Sequence, residues 1–437
     1  MTRRFTLYLL TAVVAALALA FAGCGDDDDE NGGGGGAAEK VSGSITISGV
    51  WTGQEARSFN AVLDGFKKKY PNVNAKYRPV GNEIPTVLAT AVEGGNPPEL
   101  AAVAQPGLIR DFVKKNALKP IDFAEDTVNE NFSKDAADVA RVDGKLYGVL
   151  FKAANKSTVW YNVPLFDQAG VKSPEDFDAF LQAAKTLKSS GTRAYSVGAS
   201  DGWTLTDLFE NIYLRQAGAQ KYDQLAEHKI PWTDPSVKDA LRTMAKIVGD
   251  TGNIAGGVSG ALQTDFPGSV TNAFKENPKA AMVLEADFVE SEIINSTKAK
   301  PETGFNVFDF PSIDGSPPTV VGGGDTVVMF KDSPAARALV EYLATSEAAE
   351  IRARLGGYTS ANKNVSETAY EDPLLGQAAK AISDAEVFRY DLSDLQPAKF
   401  GATVGQGLWK QFQDFLRNPD DVDGTAQKME RAAKRAF

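Results

Sequence analysis

Three short stretches set an acid or an amide beside an aromatic ring: Trp51 with Gln54 and Glu55, Asp201-Gly202-Trp203, and Glu285-Ala286-Asp287-Phe288. A carboxylate accepts hydrogen bonds from hydroxyl groups, and a ring offers its face to C–H surfaces. Such pairs hold a polar small molecule. Other chemistries lack residues. His228 is the single histidine, so a Ser-His-Asp triad or a histidine metal site would have to use it. It lies in "LAEHKIPWTD", with no serine nucleophile motif nearby, and reads as a surface residue. One His and one Cys leave too few soft ligands for zinc. "PDDVDGTAQKME" puts Asp421, Asp423, Gly424 and Glu430 at four calcium-loop positions, but Pro419 stands where the first carboxylate belongs. It reads as a turn before the last helix. No metal or cofactor is expected.

The elements that must position these residues alternate. Ile45 and Ile47 predict a strand, and Phe59, Val62, Leu63, Phe66 and Tyr70 predict a helix ended by Pro71. A strand with Val73, Ala75 and Tyr77, a helix with Ile84, Val87, Leu88 and Val92, the strand "ELAAV" and a helix with Leu108, Ile109, Phe112 and Val113 follow. A β-α-β-α-β order predicts a parallel sheet with helices on its faces. The order recurs later: Ser173-Pro174 as a helix start, "AYSVGAS" and "AAMVLEADF" as strands, "TVVMF" as a strand, and Ser333-Pro334 capping another helix. The sequence thus reads as two α/β lobes of similar build.

The first residues form a separate unit. Arg3 and Arg4 precede an apolar run to Gly23, a secretory pattern. Phe21-Ala22-Gly23-Cys24 resembles a bacterial lipobox, with Phe21 where leucine is usual; the resemblance implies cleavage before Cys24 and lipidation of its thiol. No other cysteine exists to pair with it. Asp26–Asp29 and the glycine run to Gly36 cannot bury apolar surface and read as a solvated tether. Of the net charge of −11, residues 1–30 hold two Arg and five acids, net −3, leaving −8 on the rest. An acidic chain does not suit nucleic acid, which needs basic surface.

The ordered set "NPPELAAVAQPGLIRDFVKKNALKPID", "VDGKLYGVLFKAANKSTVWYNVPLFDQAGVKSPEDFDAFLQAAKTL", "PKAAMVLEADF" and "GGGDTVVMFKDSPAARALVEYLATSEAAEIRARLGGYTSANK" resembles the family 1 extracellular solute-binding proteins, carbohydrate receptors of ABC importers related to maltose-binding protein. The family often has Gly-x-Trp where this chain has Glu285-Ala286-Asp287-Phe288. The resemblance implies a type II periplasmic-binding-protein fold, two lobes with mainly parallel sheets joined by a hinge. It implies a signal peptide at 1–23, a tether at 24–43, one lobe from 44–156 and 309–350, and the other from 157–308 and 351–437. It further implies a monomer outside the cell, held to the membrane by lipid, that passes a carbohydrate to permease subunits.

A sugar needs donors, acceptors and flat apolar faces, and in open α/β sheets ligands bind beyond the carboxyl ends of strands. Those two conditions select the candidates. Trp51, Gln54 and Glu55 follow the first strand, with Trp51 either a platform or a core residue. Gln105 ends the third strand, as contact or helix cap. Lys152 and Asn155 lie where the resemblance places the first interlobe crossing, while Trp160 and Tyr161 read as packing. Asp201 and Trp203 stand between a strand and a helix, with a cap and a packed ring as the alternative. Glu285, Asp287 and Phe288 follow a strand. In Gly322-Gly323-Gly324-Asp325, Gly324 lets backbone approach a ligand and Asp325 accepts hydroxyls; the loop precedes a strand and not a helix, so it does not suit phosphate. Tyr358 and Arg389 complete the set, each with a packing or ion-pair alternative. A secreted glycoside hydrolase would need paired carboxylates about 5–10 Å apart. Glu285 and Asp287 are the nominees, side by side on one loop. A receptor of the same fold for a polyol or peptide is the other alternative.

Overall fold

The computed structural model describes residues 40–437 apart from Gly357, Tyr358 and Glu371. The expected leader, Cys24 and most of the tether lie outside the described residues. Among the described residues no helix is long and apolar enough to cross a membrane. Strand β1 (Gly43–Gly49) begins within the stretch assigned to the tether, and Val41 already packs on the core.

The first lobe opens as its apolar spacing requires. After β1 come α1 (Gly53–Lys69), β2 (Val73–Pro79), α2 (Ile84–Glu93), β3 (Leu100–Val103) and α3 (Pro106–Lys114). β1 runs parallel to both β2 and β3. Phe59, Val62, Leu63 and Phe66, at spacings of three and four on α1, are all buried against this sheet. Each such side chain contributes roughly 1.5–3 kcal/mol on burial.

Two strands then leave the lobe in succession. β4 (Gly148–Asn155) carries Val149 and Phe151 in the first core, and β5 (Thr158–Asn162) carries Val159 in the second. The second lobe continues with α4 (Phe177–Ser189), α5 (Trp203–Ala226), α6 (Phe266–Phe274), β6 (Met282–Leu284), α7 (Val289–Ser296) and β7 (Phe305–Asp309). Asp176, not Ser173, caps α4: its Oδ1 accepts from Ala179 N at 2.8 Å. β5 lies antiparallel to both β6 and β7, so this sheet is mixed. The expected strand at 194–200 shrinks to parallel bridges from Tyr195 to Ile254 and Met282.

The return is made by β8 (Thr319–Met329), eleven residues all buried. Its start pairs parallel with β9 (Val387–Tyr390), its middle antiparallel with β4, and its end antiparallel with β3. Val321 belongs to the second core, and Val327 and Val328 to the first. The lobe boundaries therefore shift. Phe310 and Ile313 lie in the second core, beyond the boundary expected at 308/309, and Ala353 and Ala369 in the first, beyond the one expected at 350/351. α8 (Pro334–Leu343), capped by Ser333, and α9 (Ser346–Ala353) return to the first lobe. α10 (Pro373–Asp384), α11 (Gly407–Arg417) and α12 (Val422–Ala436) complete the chain. Asp421 caps α12 through Gly424 N, the turn that the calcium-like sequence forms.

The glycines of β8 serve this crossing. A Cβ on Gly324 would meet Lys152 O at 2.1 Å, and one on Gly322 the ring of Phe388 at 2.3 Å. Asp325 thus sits inside a strand and not before one.

Candidate functional site

A cavity of about 310 Å³ lies between the lobes. Because β1, β2 and β3 are parallel, their carboxyl ends open on one edge. Trp51 and Glu55, Asn82, and Gln105 reach the cavity from those three exits. The hinge strands add Lys152, Lys156, Gly324 and Asp325. The second lobe adds Asp201, Trp203, Asp265, Phe266 and Phe288, with Asp394 and Trp409 beneath them.

On the first-lobe side the polar groups form a chain. Trp51 Nε1 donates to Asp325 Oδ2 at 2.7 Å. Lys152 Nζ donates to Glu55 Oε1 at 2.6 Å and lies 3.6 Å from the same Asp325 oxygen. It also stands 4.3 Å from the centroid of the Phe288 ring, across the cleft. Burial pushes the Glu55 carboxyl up, but Lys152 and Arg352 outweigh it and hold it below the ordinary range. Burial raises Asp325, and Lys152 offsets only part of that. Trp51 is both of the things its sequence allowed. It borders the cavity, yet it is 3% exposed and its ring packs on Phe59 at 4.7 Å and on Tyr77 and Phe151 at 5.9 Å. Its faces are covered, so it presents an edge and not a platform.

The less buried rings come from the second lobe. Trp203 and Phe266 are 5.3 Å apart, Phe266 and Phe288 5.3 Å, and Trp203 and Phe288 6.0 Å. All three are half-buried. Asp201 does not cap α5; its Oδ2 accepts from Phe266 N at 2.6 Å, tying this wall together. Burial pushes its carboxyl up to about 6; Asp265 adds to this, and a hydrogen bond with Asn82 of the first lobe opposes it. Gly202 holds φ +83°, and a Cβ there would meet Trp409 at 2.6 Å.

Among the described residues, two polar atoms of side chains that line this cavity are buried without a partner: Gln105 Oε1 from the first lobe and Trp409 Nε1 from the second. Gln105 stands at the N-cap of α3 but its side chain makes no cap bond. An acceptor and a donor left bare in a buried site cost on the order of 1–3 kcal/mol each until a ligand meets them.

Five candidates stand elsewhere. Gln54 is exposed and accepts from Arg57 Nε. Asn155 and Asp287 are fully packed struts: Asp287 Oδ2 accepts from Asn155 N at 3.0 Å and from Thr359 Oγ1 at 2.6 Å, joining second lobe to first. Glu285 is buried behind the cleft wall. Arg389 lies on β9, paired with Asp223 through Nε at 2.6 Å. Tyr358 lies outside the described residues. The sequence reading missed Asn82, Lys156, Asp265, Phe266, Asp394 and Trp409. Asp265-Phe266 has the acid-and-ring signature but follows no strand. Trp409 lies on an amphipathic helix, where a ring carries no sign of a ligand. His228 rests on Glu430, with Nε2 3.1 Å from Oε2.

Residues 52–350 match the family described as bacterial extracellular solute-binding protein. The osmoprotective compounds-binding protein GgtB of Synechocystis sp. is 31% identical over 385 residues, covering 86% of this chain and 89% of that one. The alpha-glucosides-binding periplasmic protein AglE of Rhizobium meliloti is 29% identical over 401 residues, covering 88% and 85%. Among solved structures, a chitin oligosaccharide binding protein superposes with a TM-score of 0.80 at 20% identity, covering 90% of this chain and 99% of that one. The raffinose complex of RafE gives 0.73 at 19% identity, covering 90% and 100%. The shared fold is the two-lobed, type II periplasmic binding architecture.

Proposed function

The chain belongs to the bacterial extracellular solute-binding proteins, and from that premise we propose that its cleft captures a sugar or oligosaccharide and delivers it to the permease of an ABC importer. The observation that carries this reading is the bare pair on opposite lobes, Gln105 Oε1 and Trp409 Nε1, beside the wall of Trp203, Phe266 and Phe288. A sugar hydroxyl both donates and accepts, and the sugar's C–H face suits aromatic rings. A ligand touching both lobes binds the closed form better than the open one, and that difference drives closure. The alpha-glucoside specificity named for the Rhizobium relative makes α-glucosides the first ligands to test. The Synechocystis relative, named for osmoprotective compounds, favours a second reading in which the solute is a polyol or glycosylated polyol.

The protein acts by capture and not by catalysis: Glu285 and Asp287, the nominated acid pair, are both buried, and neither lines the cleft. It works outside the cytoplasm as a monomer, anchored through lipid on Cys24. Calorimetry with maltose, trehalose, sucrose and glycerol glucosides tests the reading. Saturable heat with unchanged recovered sugar supports it; product sugars, or silence across the panel, would refute it.

A further inference from the structure

Behind the cleft wall, five carboxyl groups crowd one ammonium. Lys156 Nζ donates to Asp207 Oδ1 at 3.2 Å and to Asp391 Oδ2, and lies 3.8 Å from Asp394 Oδ2. Glu210, one turn along α5 from Asp207, accepts from Leu392 N at 2.7 Å and Ser393 N at 2.9 Å, and from the Tyr222 hydroxyl. Asp391 Oδ1 accepts from Ser393 Oγ and Asp394 N, both at 2.8 Å. Glu285 approaches Asp207 from the loop after β6. Tyr390 and Asp325 complete the titratable groups facing this cluster.

All five acids are at most 5% exposed. Fully ionised, they would leave four negative charges around Lys156 with little water to solvate them, which a folded protein does not sustain. Against the cost of burial, Lys156 and the backbone and hydroxyl donors hold Asp391 below the ordinary carboxylate range, whereas burial and the neighbouring Asp391 and Asp207 carry Glu210 well above it despite its two backbone donors. Among the described residues, Asp207 Oδ2 and Glu285 Oε1 find no hydrogen-bond partner, although both are buried. Carboxyl oxygens facing other carboxylates without a donor are satisfied by a proton shared between them. Consistent with this, burial raises Asp207 to about 8, with Lys156 opposing and Asp391 reinforcing the rise. Burial likewise carries Glu285 and Asp394 well above the carboxylate range.

The cluster touches the ligand site. Lys156 and Asp394 both line the cavity, and Lys156 Nζ lies 5.8 Å from the Trp203 ring centroid. Lys156 follows β4, which pairs with the crossing strand β8, and Asp391 follows β9, which pairs with the start of β8. We propose that this cluster makes solute binding proton-linked: a ligand that dries the wall at Lys156 and Asp394 increases the protons shared among the buried acids, so binding takes up protons and weakens as they are removed. The proposal rests on the cleft being the solute site, and it adds a regulation of that site.

Two arms test it. In the first, thermal unfolding of the purified protein without sugar is followed from pH 6.5 to 9. Acids protonated in the native state and ionised in the unfolded chain make stability fall as pH rises toward about 8. The wild type should lose melting temperature across this window. Asp207→Asn and Glu285→Gln, which fix the neutral form, should flatten the loss. Parallel curves in all three would overturn the proposal. So would a melting temperature raised by calcium chloride and returned by EDTA, which would make the cluster a cation site. In the second arm, calorimetry with maltose should show the wild-type Kd rising by up to about tenfold per pH unit above about pH 8 and less steeply in Asp207→Asn. A pH-independent Kd would overturn the linkage. Absence of maltose binding at every pH would count against the α-glucoside reading, and the first arm would still decide the cluster.

Discussion

Trp51 and Asp325 are 274 residues apart in the chain and are joined by one 2.7 Å hydrogen bond from indole Nε1 to carboxylate Oδ2. The bond fixes the exit of β1 to the hinge strand β8. The same Asp325 oxygen lies 3.6 Å from Lys152 Nζ, and both residues line the cavity.

Asp325→Ala should therefore act on both stability and binding. It leaves the buried Trp51 N–H bare and strips one carboxylate from Lys152. A loss of about 1–3 kcal/mol in unfolding free energy is expected, with saccharide affinity at least tenfold weaker. Denaturant titration and calorimetry on the same sample check both. An unchanged Kd would remove Asp325 from the site.

Trp203→Ala should separate the two effects. The ring is half-buried, and its neighbours Phe266 and Phe288 remain to shield the core. Affinity should fall by an order of magnitude or more, with a melting temperature close to wild type. A large drop in melting temperature with intact affinity would mean that Trp203 is packing alone.

Asp201 predicts a pH signature in an acidic window. Its native carboxyl titrates near 6, above an unfolded aspartate near 4. The native state then holds a proton that the unfolded chain has lost, so stability falls as pH rises from about 4 to about 6. Asp201→Asn should make that slope shallower, the remainder coming from the other buried acids. Identical melting profiles for the two proteins would show that Asp201 titrates normally.

Much of the first lobe was legible because parallel strands and amphipathic helices write distinct periods. Phe59, Val62, Leu63 and Phe66 announced α1, and the exits at Trp51 and Gln105 followed from it. Asp201 and Trp203 were legible as an acid and a ring at a strand-to-helix turn. The hinge was not. β8 is buried along its whole length with three glycines in its centre, so nothing in it marks where one core ends and the next begins. Asp287 and Asn155 looked like contacts because buried struts and ligand contacts use the same side chains. Trp409, Lys156 and Asp394 reach the cavity from a helix face and from hinge loops, by tertiary placement that local spacing does not encode.

The core makes its own prediction. Phe59 is fully buried between Trp51, Tyr77 and Phe151. Phe59→Ala should cost about 3–5 kcal/mol and loosen Trp51 at the cleft edge. Denaturant unfolding followed by tryptophan fluorescence reads both. A loss under about 1 kcal/mol would contradict this packing.

The central claim is that a saccharide closes two lobes on each other. Small-angle scattering of the protein with and without a saturating α-glucoside, paired with calorimetry, tests it most directly. The account predicts a smaller radius of gyration on addition of sugar, together with saturable one-site heat. Superimposable profiles and no heat across α-glucosides, other oligosaccharides and polyols would contradict it.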